Sequence, residues 1–347
     1  MTQLMSRRIE LNDAEDIIEY MYRQGWTDGL PVVPPTEAKV RAFLNEANLG
    51  PSEVIGAIPE RNRVFTAEKL AINAVMAGCL PVYFPVVLAA IRAICDPAFG
   101  LHGPTASTAG TAILMMVNGP MAKQIGMNSG QNLFGPGNRA NATIGRAVRL
   151  VIMNLGGMEF DRSTLGHPGK YTYCIAEDET TTWDPLHVLR GFAREQSAVT
   201  VLAAEAPNQV QNHTTAKAEQ LLQTFADRMT ALGTFNMLSA TQCALIICKE
   251  HYQTLANQGW NKKQVQQFLY EHARRPLNDL KPCGLGTRKG KDTGTGAALT
   301  AVPAPEDILL LVAGGEAGRF SAYIPGWLGV SSSRAVTKEI TTCSGGT

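Results

Sequence analysis

The sequence predicts an α/β fold of two similar lobes with a cleft between them. Three observations support this prediction. The 347 residues are 45% hydrophobic, enough for a large core. Short apolar runs of strand length alternate with longer segments whose apolar residues have helical spacing. The two halves also share one order of elements (helix, strand, short helix, helix, strand), which indicates an internal duplication. Since domain interfaces favour ligand pockets, we expect the binding site in the cleft.

The composition argues against several classes of partner. The net charge is +1 and no basic run is interleaved with aromatic residues, so there is no electrostatic case for nucleic acid or a membrane surface. No apolar signal core and no long uncharged apolar run appear, which makes the cytoplasm the expected compartment. Charged residues make up 18%, below the average of about 25%, so we expect a homo-oligomer. The odd count of seven cysteines argues against a disulfide framework.

Residues 1–60 are expected to form N-terminal helices joined by a proline-rich loop. Residues 8–24 have amphipathic spacing and Gly25 ends this helix. Adjacent prolines at positions 34 and 35 fix an extended path, and a second helix begins after Thr36. Asp28, in the loop, is a candidate binding carboxylate. A turn-capping aspartate is the alternative.

The first lobe is predicted over residues 61–190 and opens with two helices. Thr66 has the position of an N-cap, and the first helix ends near Gly78. Pro81 suits the first turn of the second helix. This places Cys79 near a helix N-terminus, where the dipole lowers the pKa of a thiol. Cys79 is therefore the candidate reactive thiol, with a buried small hydrophobe as the alternative.

A polar, glycine-rich loop from Gly126 leads directly into a helix over residues 140–154. The first N–H groups of a helix lack intrahelical partners and its dipole favours negative charge, so this junction predicts an anion site. Arg139 would hold a carboxylate or phosphate through its planar fork. Alternatively, Arg139 caps a neighbouring helix or pairs with Asp161 or Glu177, and the loop is a purely structural turn. The other candidate binding residues are Asn128, Ser129, Asn138, Asn141 and Arg146.

A strand over residues 171–176 ends on a group of acids. His167, Lys170 and Glu177 are candidates to move protons, since open α/β sheets place ligands at the carboxyl ends of strands. For any one of them alone, a solvated loop charge is the favoured interpretation. A Cys/His metalloenzyme is a separate alternative, and its candidate ligands are Cys79, His102, His167 and Cys174.

The second lobe is predicted over residues 191–347. Strands are expected at 198–204, 242–248, 307–312 and 320–324, and helices at 214–232 and 261–274. The last of these helices begins with an Asn261/Gln264 capping pair. The basic, glycine-rich stretch 281–301 is expected to be a surface loop, and Cys343 to be exposed.

Five long sequence motifs are spread along the chain. They are DGLPVVPP at 28–35, AINAVMAGCLP at 71–81, GPGNRANATIGR at 135–146, HPGKYTYC at 167–174, and the strand and loop at 305–318. Together they resemble a largely uncharacterised bacterial family whose members are associated with, or encoded beside, a small UGSC-type (seleno)protein domain. The UGSC motif itself is absent here. The resemblance implies thiol or selenol chemistry nearby, with a UGSC-type partner protein, and it supplies no catalytic residues.

These expectations describe a cytoplasmic enzyme that acts on a small anionic metabolite through Cys79. Redox chemistry and lyase or hydrolase chemistry both stay open, and no cofactor is assigned. Two further alternatives stay open. The first is a non-catalytic subunit that binds the ligand and docks the thiol or selenol partner, and the second is the Cys/His metalloenzyme.

Overall fold

Two four-stranded sheets with helices on their outer faces make up most of the protein. A computed structural model describes residues 3–10, 14–157, 162–284 and 298–342. Asp161, Cys343 and most of the predicted surface loop at 281–301 lie outside the described residues. The mixture of helices and sheets confirms the predicted α/β class.

The elements follow one another in chain order. The helices are α1 (Ala14–Arg23), α2 (Glu37–Glu46), α3 (Ala67–Ala77), α4 (Phe84–Ile94), α5 (His102–Ala106), α6 (Pro120–Gln124), α7 (Arg139–Leu155), α8 (Leu186–Leu189), α9 (Ala218–Met229), α10 (Phe235–Ser239), α11 (Lys249–Ala256), α12 (Lys262–His272) and α13 (Leu277–Leu280). The strands are β1 (Val54–Ile58), β2 (Arg63–Thr66), β3 (Ala112–Asn118), β4 (Cys174–Ala176), β5 (Ala198–Ala204), β6 (Asn208–Gln211), β7 (Cys243–Ile247), β8 (Arg274–Pro276), β9 (Ala298–Thr300), β10 (Ile308–Val312), β11 (Phe320–Pro325) and β12 (Val336–Glu339).

Local signals explain where the principal helices begin and end. The predicted capping box at the start of α12 is confirmed, because Asn261 and Gln264 each accept from the other's backbone N–H. Asn138 caps α7 through its side chain, which accepts a hydrogen bond from Asn141 N. Gly78 ends α3 in the left-handed region, with φ of 90°, which a residue with a Cβ adopts only at a cost.

The two large sheets have corresponding strand orders. Sheet one is ordered β12-β5-β3-β4 and sheet two is ordered β6-β11-β7-β10. In each, the last two strands are parallel and the other neighbours antiparallel. The first strand of each sheet is exchanged: β6 follows β5 in the chain but pairs with β11, and β12 follows β11 but pairs with β5. Sheet one therefore takes two of its strands from beyond residue 190, the predicted boundary between the lobes.

The two sheets pack face to face through a shared apolar layer. Because side chains alternate along a strand, each sheet presents one face to this layer and the other to its helices. Leu114 and Met116 of β3 meet Ile246 of β7 and Leu311 of β10 in one buried cluster. The opposite faces pack on α3, α4 and α7 in one half and on α9 and α12 in the other. The halves are thus layers of one α/β/β/α sandwich, and the centre of their interface is a filled core where the sequence predicted a cleft.

Candidate functional site

Cys79 lies in the C-terminal cap of α3 and not at a helix N-terminus. Its backbone N–H donates to Ala74 O at 3.0 Å, and α4 begins only at Phe84, after a 3₁₀ turn. The residue is 6% exposed and its thiol donates to Thr143 O at 3.2 Å. Burial raises the pKa of Cys79 to about 12, and the Thr143 contact and the charge of Arg139 only partly oppose this. The predicted lowering of this pKa is wrong, because the thiol is desolvated beside the negative end of a helix.

Arg139 turns its guanidinium back onto α3. Nε and Nη2 both donate to Gly78 O, at 3.0 and 2.9 Å. The last carbonyl groups of a helix have no intrahelical donor, so this contact satisfies one end of α3. The geometry is that of the helix-capping alternative, and it occupies two donors of the fork that an anion at this junction would need.

The amide side chains of the polar loop hydrogen-bond to the loop itself. Asn138 accepts from Asn141 N at 3.0 Å, and its Nδ2 donates to Gly126 O at 2.7 Å. Asn128 and Asn141 are joined twice, N to Oδ1 and O to Nδ2, both at 2.9 Å. Ser129 reaches the other half of the chain, because its carbonyl accepts from Gly314 N at 2.8 Å. These contacts explain why the loop is rich in asparagine: the amide side chains stabilise the conformation of the loop itself.

Asp28 and Arg146 form one two-pronged ion pair. Arg146 Nε donates to Oδ2 at 2.8 Å and Nη2 to Oδ1 at 2.7 Å. The same guanidinium donates to Leu30 O and Pro31 O at 3.1 and 2.9 Å. The side chains of Asp28 and Arg146 are 4% and 15% exposed, so the pair is largely desolvated. Two predicted binding residues therefore fasten the proline-rich loop to α7.

His167 and Glu177 lie at opposite ends of sheet one. His167 precedes β4: its Nδ1 accepts from Gly169 N at 3.1 Å and its Nε2 lies 3.4 Å from Ala204 O. Burial lowers the pKa of His167. Lys170 stays beside it and donates its N–H to His167 O at 2.9 Å. Glu177 follows β4, beside the far end of β3, which places it roughly 20 Å away. The predicted acid–base group of these three residues does not assemble.

Glu177 is a buried carboxylate at the junction of the two halves. Its side chain is 2% exposed. Oε2 accepts from Asn118 Nδ2 and Leu186 N, both at 2.7 Å. Oε1 accepts from Lys262 Nζ and, at 3.4 Å, from Val312 N. Four donors from β3, α8, α12 and β10 fill the carboxylate, so Glu177 ties these elements together.

The predicted metal ligands are not brought together either. Within the described ranges, no group of three or more His, Cys, Asp or Glu side chains is placed to hold a metal ion. Cys79 and Cys174 are both buried thiols whose pKa values burial raises. His102 opens α5 and is exposed. The geometry of the described residues gives no support to the Cys/His metalloenzyme alternative.

A groove lies between α8, α12 and the start of β10, and none of the predicted site residues lines it. Its volume is about 750 Å³, within the range typical of small-molecule sites. Its principal polar lining residues are Arg190, Gln242, Lys263, Gln266, Asp307 and Arg334. We take this groove as the candidate functional site.

Two arginines lie near one carboxylate in this groove, and one of them, Arg334, pairs with it. Asp307 is 2% exposed, and its Oδ1 accepts from Gln242 Nε2 at 2.8 Å and from Arg334 Nη2 at 3.0 Å. Arg190 lies close by and donates through Nη2 to Ala335 O at 2.9 Å. Burial lowers the pKa of Arg190, the charge of Arg334 lowers it further, and Asp307 opposes both. The two guanidinium groups are thus near enough to repel each other.

No single pattern in the sequence connects these groove residues. Arg190 and Arg334 stand in stretches without strand or helix periodicity. Arg190 and Ala335 are 145 positions apart and meet only because β12 is exchanged into sheet one. A local sequence signal could not have found the pair.

A scan against protein-family models found no match, and no curated protein matches this chain. Over the described ranges no single helix is long and apolar enough to cross a membrane. Only α3 together with Pro81–Ile94 has the length and composition, and these two segments are bent by 117°.

Proposed function

We propose that the groove binds a small anionic metabolite. The observation that supports this is the closeness of Arg190 and Arg334 in the lining of the groove, where only Arg334 pairs with a carboxylate, that of Asp307. The charged lining consists of three cationic side chains, including Lys263, against the two carboxylates of Glu306 and Asp307. An anion would relieve the repulsion between the arginines, and in a partly desolvated groove this attraction is stronger than at an open surface.

Both arginines keep donors for a ligand. Contacts with described residues engage Nε and Nη2 of Arg190 and only Nη2 of Arg334. Nη1 of Arg190, together with Nε and Nη1 of Arg334, would then face the ligand. Guanidinium groups match carboxylate and phosphate oxygens in pairs, which favours these two anions.

The proposed ligand belongs to the class predicted from the sequence, a small anionic metabolite. The reaction through a cysteine thiol that the sequence also predicted is not part of the proposal. None of the described cysteines lines the groove. Burial raises the pKa values of Cys79, Cys95, Cys174 and Cys243, which opposes thiolate formation. We propose a cytoplasmic enzyme or binding subunit, since free thiols are typical of a reducing compartment.

Calorimetric titration with inorganic phosphate and with succinate tests the groove. Arg334→Gln removes a charge and leaves the bond between Gln242 and Asp307. We expect anion binding to weaken by about 10- to 100-fold, because a hydrogen bond to a charged group contributes about 1.5–3 kcal/mol. Arg190→Lys keeps the charge but loses the fork, so its effect should be smaller.

Arg194→Gln is the matched control, because Arg194 is an exposed arginine near Arg190 that pairs with Asp184 outside the groove. It should leave anion affinity unchanged. The proposal fails if the wild-type protein binds neither anion, or if Arg334→Gln and Arg194→Gln bind them equally well.

We also propose that a second copy of the chain covers a small apolar patch beside Gly78. Val33, Leu80 and Val82 in this patch are 37%, 37% and 44% exposed. The low charge content supports a subunit contact. Sedimentation velocity should show a dimer that Leu80→Asp converts to monomer. A monomeric wild-type protein would contradict the proposal and leave the patch to the UGSC-type partner that the resemblance implies.

A further inference from the structure

Lys262 is the one lysine among the described residues that is buried, with 3% of its surface exposed. Lysine is almost never buried without a partner, and the partner here is Glu177, whose Oε1 accepts from Lys262 Nζ. Both side chains are 2% exposed. A buried ion pair adds little net stability, because both charges lose their water. The pair therefore calls for an explanation other than stability.

The carboxylate of Glu177 also holds an asparagine amide. Glu177 Oε2 accepts from Asn118 Nδ2 at 2.7 Å, and Asn118 is 0% exposed. The same amide nitrogen donates to Glu179 Oε1 at 3.0 Å, while Asn118 Oδ1 has no hydrogen-bond partner among the described residues. A lysine amine and an asparagine amide thus lie on the two oxygens of one carboxylate, a few ångströms apart and shielded from water.

We infer that Lys262 and Asn118 form an intramolecular isopeptide bond, with Glu177 as the catalytic residue. Lysine attacks as a neutral amine, so the ammonium group of Lys262 first gives a proton to Glu177 Oε1. Burial favours this transfer, because it removes two charges from an apolar environment. The amine nitrogen then bonds to Cγ of Asn118, and the bond from Cγ to Nδ2 breaks.

The protons of this exchange balance within the three side chains. Nζ of Lys262 loses two protons as its ammonium group becomes an amide N–H, and Nδ2 of Asn118 gains two and leaves as ammonium. Glu177 contacts both nitrogens, which is the geometry required of a group that carries protons between them. The carboxylate is restored at the end, so the reaction consumes no oxidant, reductant or other reactant.

The bond joins the two halves of the protein covalently. Asn118 is the last residue of β3 in sheet one, and Lys262 is the first residue of α12, which packs on sheet two. A cross-link between such distant positions restricts the unfolded chain as a disulfide does. Unlike a disulfide, an amide persists in a reducing compartment. The cross-link forms without a ligand and does not depend on the groove.

Mass spectrometry of the full chain, unfolded and reduced, tests the bond. The wild-type protein should be lighter than its sequence by one molecule of ammonia, and a tryptic digest should contain a branched peptide that joins Lys262 to Asn118. Lys262→Arg keeps the charge but lacks the amine, and Glu177→Gln keeps the shape but cannot take up the proton. Both variants should have the full mass of their sequences and should migrate more slowly than the wild type in an SDS gel, because their chains are linear.

Lys249→Arg is the matched control, because Lys249 also pairs with two carboxylates, those of Asp178 and Glu316, but is not buried. It should lose ammonia as the wild type does. A wild-type protein of full sequence mass overturns the inference, and this readout does not depend on whether a variant folds. A loss of water in place of ammonia also overturns it, since that would mark an amide between Lys262 and Glu177 themselves.

A second route to the loss of ammonia starts from the same asparagine. Asn118 precedes Gly119, and an Asn-Gly pair can close into a succinimide ring on its own backbone. Gly119 N, the atom that would attack, donates instead to Glu179 Oε1 at 2.7 Å. The succinimide needs neither Lys262 nor Glu177. A loss of ammonia that persists in Lys262→Arg, without the branched peptide in the wild type, would therefore overturn the isopeptide bond.

Discussion

At the scale of single residues, hydrogen-bonding capacity decides which polar side chains are left for a ligand. Arg139 and Arg146 stand in the stretch that most resembles a binding loop, but their guanidinium groups are engaged by Gly78 O and by Asp28. Arg190 and Arg334 stand in unremarkable stretches and keep donors that no described residue engages. The type of residue alone therefore does not locate a binding site. What locates it is whether the hydrogen-bond donors of that residue are already engaged by the protein.

The buried thiol of Cys79 should be unreactive in the native protein. With a pKa of about 12, Cys79 is almost wholly protonated at neutral pH, and the thiol, unlike the thiolate, is a poor nucleophile. We expect iodoacetamide to label exposed Cys283 at least about 100-fold faster than Cys79, measured by peptide mass spectrometry. Labelling of Cys79 should become fast once the protein is unfolded in urea.

Burial raises the pKa of Cys79, so its thiolate fraction is small at neutral pH and grows as the pH approaches that pKa. The labelling rate of Cys79 should therefore increase with pH up to that pKa. Native labelling of Cys79 as fast as that of Cys283 would contradict the burial and restore the thiol mechanism that the sequence suggested.

At the scale of elements, those with their own start and stop signals could be predicted from the sequence. The strand expected at 198–204 matches β5, and the helix with the Asn261/Gln264 pair matches α12. The short strands β6 and β12 could not be predicted, because four mostly polar residues become a strand only through a distant partner. The groove depends on β12, so the candidate site could not be predicted from the sequence either.

Capping at α12 gives a prediction for an element. Asn261→Ala removes the 3.0 Å bond from Gln264 N to the Asn261 side chain and leaves the second bond of the capping box, from the backbone N–H of residue 261 to Gln264 Oε1. It should lower the free energy of unfolding by about 0.5–2 kcal/mol, measured by urea denaturation. Thr36→Ala is the matched control, because Thr36 has the N-cap position of α2 without a side-chain capping bond. It should change stability by less than about 0.5 kcal/mol, and equal losses in both variants would contradict the role given to the box.

At the scale of the whole molecule, two features join the halves. Each large sheet contains an exchanged strand, since β6 follows β5 in the chain but joins sheet two and β12 follows β11 but joins sheet one, and a single apolar layer fills the space between the sheets. A bridge between Ala204 and Gly326, where β5 and β11 leave their sheets, ties the exchange points to each other. Neither half can lose its structure without exposing apolar surface of the other, so we expect the two sheets to unfold together.

Paired substitutions in the exchanged strands test this coupling. Val336 of β12 and Val210 of β6 are 8% and 3% exposed. Each replaced by Ala should lower the free energy of unfolding by about 1–2 kcal/mol through lost burial. Since unfolding is shared, each variant should lower hydrogen-exchange protection by the same amount in β3 of sheet one and in β7 of sheet two, measured by mass spectrometry. If Val336→Ala weakens protection only in β3, and Val210→Ala only in β7, the sheets open independently, and the apolar layer between them does not make the sandwich one cooperative unit.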